Sequence, residues 1–386
     1  MRLLFLVSRY ANDSRAAGGD VQGSLYARYL AEAGHQVTYL TSTYPGGPAR
    51  ELRDGVEVIR LGRPETLAWR MWGYYQHHGG EFDAVYAEAF GGARVPFLAP
   101  LYVRQPLLAA WYQLNRPLFD QQYGRTAGFL LGGFERWVAR LHRRATILTP
   151  SEARRADLID FGFRAEQVVA LPPLGIDLAD FAPPPAAGRE PLVVWLGKLR
   201  RYKCVDHLVA AMAQVQAAHP AARLVIAGRR DEDSYVKELR RQAADLGIAD
   251  NVEFACDLSE QAKTDLLRRA TVLALPSPIE GFGIVLLEAA CQGTPAVVSQ
   301  GVPEEVVRHG YNGLRVPFGD SKRLAEALLR VLTSPELHAE LAENAVAHAR
   351  TFSRERLTTR LQETLLGAVR PATDFAAVPE THKRIA

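Results

Sequence analysis

Short β-branched runs alternate with helical patterns along this chain, and they do so twice, with a Pro/Gly-rich break between the two series. In the first half the strand-like runs are 3–7, 36–40, 56–60, 83–87 and 145–148, with helical stretches such as 22–33 and 131–141 between some of them. In the second half, runs at 192–196, 223–227, 252–254, 272–275 and 296–298 interleave with helices at about 205–218, 235–246, 260–269, 283–292 and 321–332. Strands alternating with helices imply parallel sheets covered on both faces. The break falls at Pro172-Pro173-Leu174-Gly175-Ile176-Asp177 and over 181–188, where Pro and Gly cluster between periodic segments as they do in linkers. The expected architecture is therefore α/β, with two doubly wound, Rossmann-like domains facing each other across a cleft. The first would span 1–180 and the second 181–353, each long enough to bury its own core. In such sheets ligands bind beyond the carboxyl ends of the strands, often where two domains meet.

Composition narrows the function. Lys and Arg total 46 against 43 Asp and Glu, a formal charge of +3, which excludes a polyanion-coating protein and nucleic acid as partner but leaves small anionic ligands open. With 48% hydrophobic residues, general disorder is excluded as well. Cys204, Cys256 and Cys291 are far apart and form no CxxC pair, so neither a disulfide framework nor a structural zinc site is expected. The apolar run 3–7 is shorter than the 7–15 residues of a signal-peptide core and reads as a first buried strand. No apolar run approaches the ~20 residues of a membrane span. The expectation is a cytoplasmic chain.

One segment stands apart. Between 101 and 150 there are seven Arg and two acids, mixed with Trp111, Tyr112, Phe119, Phe129, Leu130, Phe134 and Trp137. A basic, aromatic, amphipathic surface over 101–145 suits peripheral contact with anionic lipid. The same pattern fits a helical hairpin with a solvated Arg face and a core-facing aromatic stripe, and periodicity does not distinguish the two.

The richest stretch for chemistry is 276–289, where a buried strand runs into a Pro/Gly turn and then an apolar helix near Gly283. Glu280 lies in the turn and Glu288 about five residues inside the helix, roughly 7 Å along its axis at 1.5 Å per residue. The amides of Ile284 and Val285 would lie between them at the positive end of the helix dipole, where backbone N–H groups bind phosphate. A carboxylate on either side of an anion site could accept hydrogen bonds from sugar hydroxyls at both ends of a diphosphate. The alternative is a solvated turn charge and a helix-surface charge, although an idle carboxylate among Leu286, Leu287, Ala289 and Ala290 would cost free energy. A second feature is the loop Gly197-Lys198-Leu199-Arg200-Arg201-Tyr202-Lys203 after the first strand of the second half. Its lysines are compact charges suited to phosphate oxygens, and a plain solvated basic loop is the other reading.

Taken together these residues resemble the GT-B-fold family-4 retaining glycosyltransferases, which are nucleotide-sugar dependent. The resemblance is carried by Glu280-Gly281-Phe282-Gly283 with Glu288, the family's E-x7-E motif, and by Cys291-Gln292-Gly293-Thr294-Pro295. Gly197-Lys198-Leu199 with Lys203, Val302-Pro303-Glu304 and Asn312-Gly313-Leu314 add to it. In the first half, Gly18-Gly19, the 34–40 run, Thr149-Pro150-Ser151-Glu152 and Leu174-Gly175-Ile176-Asp177 also match. The match is strongest over about 190–350 and weakest over 60–145. This chain departs from the pattern at Cys204, where Gly is common, and at Gln300-Gly301, where Gly-Gly is usual. The family's first-domain His has no counterpart in the loop 110–114, where Tyr112 stands as a substitute.

The resemblance implies roles. Lys198 and Lys203 would hold the diphosphate, Glu288 the ribose hydroxyls, and Glu280 the donor sugar near its anomeric carbon. Glu280, Lys203 and Lys198 would be the catalytic set. Gly197, Gly228 and the backbone of Phe282, Gly283, Ile284 and Val285 would complete the donor site, with Gly18 and Gly19 facing it from the first domain. The last helix, within 354–386, would cross back to the first domain. No metal and no other cofactor is implied, since Asp231-Glu232-Asp233 reads as a solvated loop. The implied reaction moves a sugar from a UDP- or GDP-type donor to a hydroxyl acceptor, as in glycan or glycolipid synthesis. The rivals are a sugar-nucleotide epimerase or phosphorylase on the same fold and a degenerate, non-catalytic subunit. Dinucleotide oxidoreduction is disfavoured because no GxGxxG follows a strand.

Overall fold

The computed structural model describes residues 1–13, 16, 18–90, 98–181, 188–229 and 232–369, apart from the side chains of 90, 116–118, 120–123, 125 and 178. Asp231, most of the Pro-rich run and the tail from 370 lie outside the described residues. Eight strands form the first sheet: β1 (Arg2–Leu6), β2 (Gln36–Thr41), β3 (Arg50–Arg53), β4 (Val56–Arg60), β5 (Ala84–Phe90), β6 (Leu107–Trp111), β7 (Thr146–Thr149) and β8 (Val168–Ala170). Their order is β3-β4-β2-β1-β5-β6-β7-β8. Six form the second: β9 (Glu190–Leu196), β10 (Arg223–Gly228), β11 (Val252–Cys256), β12 (Ala270–Leu275), β13 (Ala296–Ser299) and β14 (Gly313–Val316), in the order β11-β10-β9-β12-β13-β14. In each sheet the chain winds outward on both sides of its first strand, so β1/β5 and β9/β12 are the switch points where ligand crevices open.

The expected parallel sheets are present, with one correction. β3 runs antiparallel to β4, through a turn in which Asp54 and Gly55 both take positive φ. That is the Asp-Gly hairpin signal. It was obscured because Arg50-Glu51-Leu52-Arg53 is a charged edge strand rather than an apolar run. The short β8 and β14 and the Ala-containing β6 are strands beyond those expected; β6 is buried at all five residues and so shows no alternation. The helical pattern at 131–141 is the end of a longer helix, Arg116–Leu141, interrupted at Gly124 (φ 79°, ψ 163°).

Alternation along β1 divides the first core in two. Leu3 and Phe5 face a cluster with Tyr26 and Leu30 of the Gly18–Glu32 helix and Leu357, Leu361 and Leu365 of the Arg354–Val369 helix. Leu4 and Leu6 face the other side, where Met71, Val138 and Leu158 contribute from three further helices. The second sheet has one continuous core around Trp195, Val194 and Leu273. The chain passes between the two units on paired backbone: Ile176 N–H donates to Phe352 O at 2.8 Å, and Arg354 N–H to Ile176 O at 3.1 Å. Gly175 permits this crossing, because a Cβ there would lie 2.3 Å from Arg354 Cα. Arg354 also reaches Glu32 (3.3 Å) and Asp177 (3.0 Å), tying the last helix to the first.

Candidate active site

The carboxyl ends of the two sheets face each other. From the first sheet, Ser151 Oγ donates to Gly281 O at 2.9 Å while also accepting from Arg154 N–H to cap its own helix. Glu305 of the second unit accepts from the Glu152 and Ala153 amides at the start of that same helix, a carboxylate placed at the positive end of a dipole. Burial raises the Glu305 carboxyl above its ordinary value, and those two amides oppose the rise. Arg229, just past β10, reaches Ala16 O at 3.3 Å.

Within this crevice the chain after β12 makes its turn. Gly283 takes the left-handed conformation (φ 91°, ψ 62°), and the Ile284–Cys291 helix starts from it. The first amides of a helix have no intrahelical acceptor, so those of Ile284 and Val285 are open to an anion. Phe282 is buried edge-on to Phe352, 5.6 Å between ring centroids, which anchors the turn. Glu280 is held by its own N–H, donated to Gly301 O at 3.0 Å. Its carboxylate accepts two hydrogen bonds from Lys203 Nζ, at 2.7 and 2.8 Å. Both side chains are nearly buried, at 10% and 15% exposure. Burial disfavours the Lys203 ammonium, but the Glu280 charge, Tyr202 and the hydrogen bonds to Glu280 together outweigh it, so the pKa is held above the ordinary lysine value. An ammonium has three protons, and Glu280 takes two.

The structure thus brings Lys203, Glu280 and the helix tip together. Lys198 stands on the same loop directly after Gly197, half-buried. Cys204, which departs from the family's glycine, nonetheless adopts the left-handed backbone (φ 52°, ψ 44°) that glycine would favour. Gly197 and Gly228 touch backbone to backbone: Gly228 has φ +132°, and a Cβ on it would lie 1.8 Å from Gly197 O. Opposite, a Cβ on Gly18 would lie 4.0 Å from Ile284 Cδ1, so the first helix of the first unit meets the tip of the Ile284–Cys291 helix. Gly19 lies against the Tyr112 ring, and the Tyr112 carbonyl approaches Gly281.

Glu288 carries a partner that spacing did not reveal. Lys263 Nζ donates to it at 2.8 Å, from the Glu260–Arg269 helix. Burial opposes the Lys263 charge, and Glu288 with Glu260 raises its pKa above the ordinary value. Lys263 sits in a helix read correctly as a core-covering element, but no local pattern says what its outer lysine faces. Glu88 was missed too, although a carboxylate at the carboxyl end of a buried strand was a signal available in the sequence. Among the described residues no three His, Cys, Asp or Glu side chains gather as a metal site, and no helix is long and apolar enough to cross a membrane. All three cysteines are free thiols.

Two family models match the chain in succession: one described as "Glycosyl transferase 4-like domain" over 18–173, and one as "Glycosyl transferases group 1" over 178–348. A D-inositol 3-phosphate glycosyltransferase of Acidothermus cellulolyticus is 36% identical over 241 residues, 58% of this chain and 52% of that protein, so this match spans about half the relative's length. One from Actinosynnema mirum is 32% identical over 326 residues, 78% of this chain and 75% of that protein. Among solved structures, Anabaena HepE in complex with UDP-glucose superposes with a TM-score of 0.76, covering 95% of this chain and 100% of that one at 20% identity, a likeness of fold. Two sheets in the GT-B arrangement, a matching model on each, and a relative aligned along three quarters of its length agree on one assignment: the chain belongs to the group 1 glycosyltransferases, the GT-B-fold family 4.

Proposed function

We propose that the chain transfers a sugar from a UDP- or GDP-type donor to a hydroxyl acceptor with retention of anomeric configuration, using no metal. The observation that carries the reading is the Lys203–Glu280 pair at the foot of a helix tip that also faces Gly18-Gly19. A departing nucleoside diphosphate gains negative charge at its phosphate oxygen. Lys203, Lys198 and the Ile284–Val285 amides would supply fixed positive potential at that place, and fixed potential needs no reorganisation during the reaction. Glu280, held on its other side by Lys203, would sit against the donor sugar and stabilise the positive charge that develops at the anomeric carbon. Glu288, held by Lys263, would accept the ribose hydroxyls. In the reaction the bond from the anomeric carbon to the phosphate oxygen breaks, the acceptor oxygen bonds to the same face, and its proton passes to the departing phosphate.

A thermal-shift panel of nucleotide sugars tests the donor, since a ligand that binds only the folded chain raises its Tm by mass action. The donor that shifts Tm should then yield an α-configured product by NMR from an α-linked donor, with the rate unchanged by EDTA. An inverted product overturns retention, and loss of activity in EDTA overturns metal independence. A rearranged free donor or a sugar phosphate in place of a glycoside would identify the epimerase or phosphorylase instead.

The exposed side of the Arg116–Leu141 helix favours an acceptor presented on a membrane. Phe129, Leu130, Phe134 and Trp137 are exposed there beside Arg136 and Arg140, with Arg143 and Arg144 just beyond, while Glu135 is buried. Cationic and apolar groups without an exposed acid between them complement anionic lipid. The protein is expected to co-sediment with phosphatidylglycerol vesicles and not with phosphatidylcholine, and Phe129→Ser with Trp137→Ser should abolish the difference. Equal partition onto both vesicles would overturn the surface.

A further inference from the structure

The carboxyl ends of β1, β5 and β6 gather a buried polar cluster that none of the roles above uses. Glu88, on β5, and Asp20, in the first turn of the Gly18–Glu32 helix, are each 4% exposed. Glu88 Oε2 accepts from Ser8 N–H at 3.0 Å, and Asp20 lies 3.6 Å from Arg9 Nη1. The Tyr112 hydroxyl stands 3.0 Å from Gly19 O and 3.3 Å from Glu88 Oε1. Tyr39 from β2 and Tyr86 from β5 are the other titratable groups facing Glu88, and the Tyr86 hydroxyl neighbours that of Tyr112.

The protons can be counted. A phenol has one, and a backbone carbonyl only accepts. Gly19 O is the nearer partner, so the Tyr112 proton belongs to it. The remaining contact, to Glu88 Oε1, is then a hydrogen bond only if Glu88 supplies a proton of its own. An ionised Glu88 already accepts from the Ser8 amide and hydroxyl, and would still compete with Gly19 O for the one Tyr112 hydrogen.

We propose that Glu88 is a positioning residue carried as the neutral acid, whose proton completes a chain from Glu88 to Tyr112 to Gly19 and so fixes the start of the Gly18–Glu32 helix against the Ile284 tip. Burial, and next the charge of Asp20, raise the Glu88 carboxyl to about 7, while the bonds from Ser8 and Tyr112 pull the other way. Arg9, 3.6 Å from Asp20, stabilises the Asp20 carboxylate, and that charge in turn disfavours a second one at Glu88. Below that pH the chain is complete; as pH rises through it, Glu88 ionises, claims the Tyr112 hydrogen and releases Gly19.

The effect on donor binding rests on the transferase reading, but the proton does not, and two measurements separate them. Infrared difference spectra of wild type against Glu88→Gln, without nucleotide, should contain a protonated-carboxyl band at about pH 6 that fades by about pH 8.5. Its absence at the lower pH overturns the inference whatever the enzyme's substrate. Calorimetric UDP affinity of the wild type should fall about fivefold over the same range, the size of one lost hydrogen bond. Glu88→Gln, whose amide can donate to Tyr112 at any pH, should bind UDP as the wild type does at the acid end and lack the fall, following only the ionisation of UDP's own terminal phosphate. Tyr112→Phe should be weak throughout and likewise lack the fall. A wild-type pH profile in Glu88→Gln overturns the chain of bonds. Failure of UDP to bind at any pH, with the carboxyl band present, would instead count against the donor site and leave the protonation of Glu88 standing.

Discussion

Glu280→Gln is expected to lower kcat by about 10²–10³-fold while the protein keeps its fold, and Lys203→Ala to lower it as much but with a lower Tm, because it strands the Glu280 carboxylate. The two side chains form one unit, with both carboxylate oxygens of Glu280 bonded to one ammonium at 10% and 15% exposure. Glutamine keeps the volume and one acceptor for Lys203 but removes the charge that would stabilise an electron-poor anomeric carbon. Alanine at 280 is the poorer probe. It leaves a nearly buried ammonium without its partner, which costs about 3–5 kcal/mol and confuses lost chemistry with lost stability. Because the pair acts together, the double variant Lys203→Ala/Glu280→Gln should be scarcely slower than either single one. Circular dichroism and Tm report the fold, and single-turnover rates with the donor from the thermal-shift panel report the chemistry. Transfer at the wild-type rate by both single variants would remove the pair from the mechanism. Lys203 is held above the ordinary lysine value, so its stabilising charge is fully present at neutral pH and is lost only as alkaline pH passes that raised value. Any change of activity near pH 7 therefore has to come from another group, and Glu88, raised to about 7 by burial and Asp20, is a group that would supply it.

What the sequence made legible, and what it hid, divides along a physical line. Helices at 205–218 and 260–269 were read to the residue, because their apolar periodicity and flanking turn residues are local. The Glu280–Glu288 motif and the Lys203 loop were legible for the same reason: each is a short run whose residue types suit one chemistry. The pairing of Lys203 with Glu280, 77 residues apart, follows only from β9 and β12 being neighbours in the sheet. Lys263 opposite Glu288 depends on how two helices pack. In the first unit the trouble was different. β6 is buried on both faces and β3 is polar, so neither has the alternation that marks a half-buried strand. Tyr112, read only as a stand-in for a missing histidine, is a structural support for Gly19, and its meaning comes from Glu88 behind it.

Gly228→Ala should be the most damaging single-methyl change in the second sheet, because the added carbon has nowhere to go. It would meet Gly197 O at 1.8 Å, Gly197 C at 2.8 Å and Gly197 N at 3.1 Å, all backbone, at φ +132° where L side chains rarely sit. Neither partner yields cheaply. Gly197 N–H donates to Ala227 O at 3.1 Å, and Gly228 is in register with Cys256 in the ladder. Strain and displacement together are expected to cost about 3 kcal/mol or more, visible as a lower Tm. The loss of function should exceed what the loss of stability explains, since pushing Gly197 away moves Lys198 with it. At a temperature where the variant is still folded, UDP affinity should fall by more than tenfold, an order-of-magnitude expectation for displaced phosphate contacts. Gly133→Ala is the control: a Cβ there meets nothing within 4 Å and lies in the Arg116–Leu141 helix, so alanine should leave stability unchanged or raise it. If Gly228→Ala binds UDP and melts like Gly133→Ala, the close approach of the two loops plays no part in holding the donor site, and the roles given to Lys198 and Gly197 go with it.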